Sequence, residues 1–289
     1  MAVQHVLWLG PALFAIAAVV LYPIVEMVRT SFSDVSLSGV IRGFNGVDNY
    51  ADLFRRPEFT AILGQTALWV STVVIGTIAL AWPLALLLNA HFPGRRAVRY
   101  AVLIPWATAL SVSALIFQWM FNYTYGVVNT TLIQLGLIAS PIDWFGDSTS
   151  AWTMLIILGI FVSVPFSTYI ILGALQSIPD ELYEAARLDG AGPIRSWMSI
   201  TLPMARTSTF LAVVLNLIGV FNSFALIWVL TGGGPGRSTQ TTFTFIYTLA
   251  FGSQAMGESA ALSVVNILLL GGVIAIVLVS NRKALEDLR

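Results

Sequence analysis

Along this chain, long apolar stretches alternate with shorter polar ones, and six of the apolar stretches are long enough to cross a bilayer as helices. They run from Val6 to Val28, Ile62 to Leu88, Val98 to Phe121, Ala151 to Leu175, Ala205 to Leu230 and Ser259 to Ser280. The first is too long for a signal-peptide core, nothing basic precedes it, and further spans follow, so it reads as a retained transmembrane helix. Pro83, Pro105 and Pro165 fall inside spans two, three and four. Buried in protein, such prolines bend a helix at tolerable cost. Between the spans, residues 30–59 are polar and interrupted by Gly39, Gly43, Gly46 and Pro57, residues 91–96 form a basic turn, and residues 122–150 form a second polar loop. Thr231 to Gly236 is an abrupt glycine-rich stop, followed by a Ser/Thr-rich stretch in which Phe243 to Phe251 partly re-enters. No internal repeat is visible. The pattern predicts an all-α polytopic membrane protein with six transmembrane helices, folded as a single membrane domain over residues 1–289.

One polar segment differs from the rest. Residues 176–204 form a charged island between two long apolar spans. Ser177, followed by Pro179 and Asp180, reads as a helix cap, and Gly192-Pro193 opens a second helix. Gly190-Ala191-Gly192 between them lets the backbone turn sharply. The prediction is two short helices joined by a tight turn, lying against a membrane face. Leu182, Ala185, Ala186 and Leu188 supply apolar and small surface, and Glu184 shares a helix side with Asp180 and Arg187.

Composition supports the membrane reading. The chain is 57% hydrophobic and 10% charged, where soluble domains carry roughly 25% charged residues. A formal net charge of zero gives no reason to expect nucleic-acid binding. Cysteine is absent, and His5 and His91 are too few and too far apart for a recognisable metal cluster. Six spans put both ends on one side. That side carries Arg95, Arg96, Arg99, Arg187, Arg195, Arg206, Arg282, Lys283 and Arg289, against Arg29, Arg42, Arg55, Arg56 and Arg237 on the other. The positive-inside rule then places both termini and the island in the cytoplasm, with Arg55-Arg56 running against it.

Glu184-Ala185-Ala186, Asp189-Gly190-Ala191 and Ile200-Thr201-Leu202-Pro203 together resemble the EAA signature of ABC importer permeases. Ile178-Pro179, Met204-Ala205-Arg206, Phe221-Asn222-Ser223-Phe224 and Thr231 to Pro235 are similar to the carbohydrate-uptake branch, on its MalF-like side. The sequence departs from that pattern at Ala205, since relatives often carry a proline around positions 206 or 207, which bears on how span five begins. The short tail from Arg282 to Arg289 favours the first half of a permease pair. The resemblance covers residues 7 to 281 and implies the type I importer fold. It also implies a second homologous permease, two cytoplasmic ATPase subunits, an extracytoplasmic solute-binding protein and a carbohydrate solute. ATP and Mg2+ would be used by the ATPases, with no cofactor bound by this chain. The resemblance makes Leu182, Glu184, Ala185, Ala186, Asp189 and Gly190 the ATPase-coupling residues. The mechanism so implied is mechanical transmission, without a nucleophile or an acid–base pair.

A solute path needs groups that replace water around hydroxyls. Gln65, Asn89, Gln118, Ser163, Ser167, Asn216, Asn222, Ser223 and Asn266 are the polar side chains on the spans. Uncharged amides and hydroxyls near aromatics suit sugars. The resemblance points to Asn222 and Ser223 with Phe221 and Phe224, and the residues add Gln118 and Asn266. Asn216 and Asn266 equally suit interhelical hydrogen bonds. Trp106, Trp119 and Trp228 are further stacking candidates. With no charge at mid-membrane, a phosphorylated solute is disfavoured, as is a proton-coupled carrier, which relies on buried ionisable relays. A membrane-embedded enzyme would need paired acids or histidines, which the spans lack.

Overall fold

The computed structural model describes residues 2–280, with side chains described for residues 9–279. The side chain of His5 and the tail from Arg282 to Arg289 therefore lie outside what is described. Among the described residues the regular structure is helical apart from one small hairpin, and the elements fall into two compact units.

The first unit combines the chain up to Gly64 with Thr242–Gly271. It begins with α1 (Ala2–Ile16) and α2 (Tyr22–Ser31), which a π-helical turn joins into one apolar rod. The polar stretch after it is more ordered than its composition suggests. Strands β1 (Ser33–Val35) and β2 (Ile41–Phe44) pair antiparallel, and α3 (Asp48–Arg55) follows. Buried Asn49 holds the hairpin to α3, its amide donating to the carbonyls of Ser31 (3.0 Å) and Ser33 (2.9 Å). Gly39 and Gly46, the breakers seen in the sequence, take positive φ at the hairpin tip and at the entry to α3.

In the same unit, Leu53, Phe59 and Ile62 pack with Phe245, Leu249, Ala261 and Leu262. The last four come from α14 (Thr242–Tyr247) with its π-helical extension, and from α15 (Met256–Ser280). The apolar segment expected over 243–251 is thus a short helix in this core. Arg56 also has its role here: its guanidinium donates to both carboxylate oxygens of Glu258 and lies 3.6 Å from Glu58. Those bonds outweigh desolvation and raise the Arg56 pKa above its ordinary value. The pair is mostly shielded from solvent, so breaking it leaves one charge short of partners. Arg56→Ala or Glu258→Gln is expected to cost about 1–3 kcal/mol. Thermal unfolding of the purified protein checks this, and an unchanged midpoint in both variants would show that the pair contributes nothing.

The second unit runs from Gln65 to Thr241 and resumes at Gly272. It holds most of α4 (Phe59–Asn89), then α5 (Arg95–Ala107), α6 (Leu110–Met120), α7 (Val127–Gln134) and α8 (Ser148–Gln176). After the island come α12 (Arg206–Phe221) and α13 (Phe224–Thr231). Four helices are long and apolar enough to cross a membrane singly: Leu9–Ser31, α4, α8 and Met256–Val279. The count reaches six when two bent pairs are each taken as one span.

Two expected continuous spans are therefore broken. Span three bends by 96° between α5 and α6. Pro105 cannot donate into the helix, and Thr108 takes an extended conformation, its hydroxyl donating to the Pro105 carbonyl (2.9 Å). Span five starts with a 62° bend near Ala205 and breaks again at Asn222-Ser223. Pro83 and Pro165, by contrast, sit inside unbroken helices. Asp147 caps α8, accepting from the backbone of Thr149 and Ser150 and from the Ser150 hydroxyl. These bonds hold its carboxyl below the usual carboxylate range.

Candidate functional site

The island divides as expected, with one correction. Ser177 does not cap the following helix; its hydroxyl donates back to the Ala174 carbonyl (2.8 Å) and closes α8. Pro179, in an extended conformation, introduces α9 (Asp180–Leu188). Asp180 and Glu181 lie in the first turn and Arg187 in the last, the arrangement the helix dipole favours. The helix ends in a Schellman turn: the Gly190 amide donates to the Arg187 carbonyl (3.0 Å) and the Ala191 amide to the Ala186 carbonyl (2.8 Å). Gly190 has φ +77°, and nothing lies within 4 Å of where a Cβ would sit, so a backbone conformation requires this glycine and not a close approach. Pro193 is the first residue of α10 (Pro193–Ser196), which a π-helical turn connects to α11 (Leu202–Met204).

The island is fixed to the spans at both ends. Ile178 and Ala205 are buried together with Ala81, Ala85, Leu88, Ile171, Leu172 and Leu175, and Tyr183 and Ile200 pack against that cluster. The Tyr183 hydroxyl hydrogen-bonds Thr201 Oγ1 at 2.9 Å, and Trp197 meets Trp82 edge to face. Tyr183 and the half-buried Ala186 therefore form the inner side of α9. Leu182, Glu184, Ala185, Leu188 and Asp189 are exposed, Leu188 to 90%. Of the predicted coupling residues only Ala186 turns partly inward. Among the described residues Glu184 makes no ion pair with Arg187, and its side chain is exposed. Ile194, Met198 and Met204 add exposed apolar surface to the same segment. The basic turn has a structural task as well: Arg95 and Arg99 both donate to the Leu88 carbonyl (2.6 and 3.1 Å) near the C-terminus of α4.

The predicted pathway residues separate. Ser223 lines a cavity of about 230 Å³ in the second unit, together with Trp69, Trp106, Ser163, Phe166 and Asn216. Trp106 and Phe166 stack there with centroids 5.9 Å apart. At the helix break at Asn222-Ser223 the Val220 carbonyl accepts from the Ser223 amide and hydroxyl, and Trp69 adds a bond from α4. Its indole N–H donates to the Val220 carbonyl (3.0 Å) and to Ser223 Oγ (2.9 Å). Gly159 makes room for this ring: a Cβ there would come 2.6 Å from Trp69 Cη2. Asn216, at 3.4 Å from Ser167 Oγ, also bridges α12 to α8.

Asn222 is exposed, its amide donating to Ile218 in its own helix, and Phe224 stacks on Trp228. Neither of these, nor Phe221, lines the cavity of Ser223. Gln118 lies in a separate cavity, and Asn266 is buried in the first unit with both amide atoms lacking a hydrogen-bond partner. Trp69 was missed by sequence reasoning. The available signal is its place ten residues into α4, deep for an interfacial tryptophan, where a buried indole needs an acceptor.

Residues 73–282 match the family described as "Binding-protein-dependent transport system inner membrane component". A probable ABC transporter permease protein of Brucella suis is 41% identical over 90% of both chains. The sulfoquinovosyl glycerol transport system permease protein SmoG of Agrobacterium fabrum is 38% identical over 90% of this chain and 84% of that one. The trehalose/maltose transport system permease protein MalF of Thermococcus litoralis is 37% identical over 78% and 74%. Among solved structures, a bacterial ABC transporter that imports the acidic polysaccharide alginate superposes with a TM-score of 0.84 at 21% identity, over 99% of this chain and 97% of that one.

Proposed function

We propose, from the premise that this chain belongs to the family of binding-protein-dependent transport system inner membrane components, that it is the MalF-like permease subunit of an ATP-driven carbohydrate importer. Its work is to convert movement at α9 into movement of the spans. The observation that carries this reading is the exposed outer side of α9: Leu182, Glu184 and Leu188 face outward on a segment whose two ends, at Ile178 and Ala205, are anchored in a buried cluster. Exposed apolar groups rimmed by charge mark a docking surface. An ATPase subunit seated on it would pull directly on α8 and α12, because Ile178 and Ala205 are buried in one cluster at their ends.

In this reading the lever and both termini face the cytoplasm, a second homologous permease completes the pathway, and a binding protein delivers solute from outside. ATP and Mg2+ would be held by the ATPase subunits, and this chain would have no catalytic role. The charge bias supports that orientation, and the Arg56–Glu258 pair gives one of the contrary arginines a structural purpose. The solute is read as a neutral sugar, because the cavity of Ser223 is lined by aromatic and aliphatic groups with two hydroxyls and one amide among them, and no charged group. Relatives whose names specify sulfoquinovosyl glycerol and trehalose or maltose support a carbohydrate.

Co-expression of all subunits and pull-down of this chain is expected to retain the ATPase, with Glu184→Arg or Leu188→Asp lowering recovery about tenfold through loss of one anchor. Undiminished recovery in both variants would remove α9 as the docking site. Asn222→Ala is expected to change the concentration dependence of uptake of a labelled sugar. An identical curve would take that residue out of the pathway.

A further inference from the structure

Gln118 opens onto a cavity of about 650 Å³ that is separate from the cavity of Ser223. Its walls are the end of α6 (Gln118, Trp119), the following loop (Asn122, Asp143), and the end of α13 with the glycine turn (Trp228 to Pro235). We propose that this cavity is an outer vestibule for saccharide, contained within this one subunit, that accepts neutral and amino sugars and turns away acidic ones. The proposal rests on the importer reading above and deepens it by naming the solute class.

The position follows from the chain. One wall of the cavity, the end of α6 and its loop, comes immediately before α8 and the lever comes immediately after it, and α8, 29 residues long, extends about 43 Å as a helix, enough to cross the bilayer. If the lever is cytoplasmic, the vestibule is outside.

Both walls are held rigidly. Asn129 is buried behind the loop wall: its amide donates to the Ile142 carbonyl (2.9 Å), and its oxygen accepts from the Ile142 amide (3.2 Å) and the Trp144 indole (3.0 Å). Asn122 Oδ1 accepts from the amides of Thr124 and Tyr125. Opposite, Thr239 Oγ1 donates to the Gly234 carbonyl (2.7 Å) and pairs with Thr231 Oγ1 (2.9 Å). A site whose walls are ordered in advance binds without paying to order them.

The chemistry points to the ligand. Trp119 and Trp228 offer aromatic faces for the apolar side of a sugar ring, while Gln118, Asn122 and Asp143 offer acceptors and amide donors for its hydroxyls. No lysine or arginine lines the cavity, and the one charged lining residue is Asp143. A carboxylate sugar would meet like charge, and an ammonium sugar would meet its complement.

The chain has no cysteine, so Tyr125→Cys and Val229→Cys, at lining positions that carry no assigned sugar contact, can each be made alone in the complete complex, in right-side-out membrane vesicles. A membrane-impermeant thiosulfonate reports access, with maltotriose, a glucosamine trimer and trigalacturonate as neutral, cationic and anionic probes. Maltotriose and the glucosamine trimer should slow labelling about threefold at twice their dissociation constants, and trigalacturonate should not. Adding Asp143→Arg should let trigalacturonate protect. Equal protection by all three probes, or by none, with outside labelling and uptake intact, overturns the vestibule and leaves the importer reading standing. Cysteines sealed from both sides also overturn it, since the partner subunit would then fill the cavity. Labelling from the cytoplasmic side alone overturns the orientation itself.

Discussion

Gly190→Val should reduce uptake about tenfold or more while the protein still inserts and assembles. At φ +77° the residue lies in the left-handed region, which costs a side-chain-bearing residue about 1–2 kcal/mol and a β-branched one more. With nothing within 4 Å of a Cβ at that point, the penalty comes from the backbone and not from a clash. The Schellman bonds of Gly190 and Ala191 set the angle at which the chain leaves α9 for Pro193. A valine relieves its strain by giving up that angle, which misaligns the exposed side of the lever. A shift of 1–2 kcal/mol is a factor of about 5–30 in the population of the working geometry. The series Asn, Ala, Val at this position tests the cause, since asparagine tolerates left-handed backbone best. Uptake and ATPase stimulation should fall in that order. Equal activity across the series would show that the turn is not what matters.

Trp69→Phe should impair transport nearly as severely, and for a different reason. Phenylalanine keeps most of the ring but removes the N–H that ties α4 to the break in span five at Val220 and Ser223. Ser223 still bonds the Val220 carbonyl (2.6 Å), so the helix ends should loosen without the protein unfolding. Trp69→Ala adds a cavity and should cost about 3–5 kcal/mol, enough to lower the yield of assembled protein. Gly159→Ala presses on the same ring from α8 and should reproduce the phenylalanine phenotype. Thermal unfolding separates the cases: Trp69→Phe should melt close to the parent and transport poorly. Normal uptake in both Trp69→Phe and Gly159→Ala would show that the break needs no such latch.

The lever was legible because its signals are local. Proline at the start of a helix, glycine after its end and acids in its first turn each act within a few residues, and α9 and α10 appear where those signals put them. Ser177 was misread because a serine between two helices can close the first or cap the second, and only the competing contacts choose. The polar groups on the spans were legible as a set, yet their sorting was not. Ser223 and Gln118 line two different cavities, Asn222 turns to its own helix, and Asn266 is buried in the other unit. A period of 3.6 residues reports which face a residue shares but not what stands opposite.

The order of apolar segments, by itself, determined that this is a polytopic all-helical membrane protein with a charged island between two of its apolar segments, because water excludes such stretches whatever their partners. Only the tertiary structure decided where spans three and five break and which groups close the breaks. Trp69 and Ser223 are 154 residues apart, and Arg56 and Glu258 are 202 apart. Bonds over such distances exist only once the helices have packed, and no local pattern encodes them.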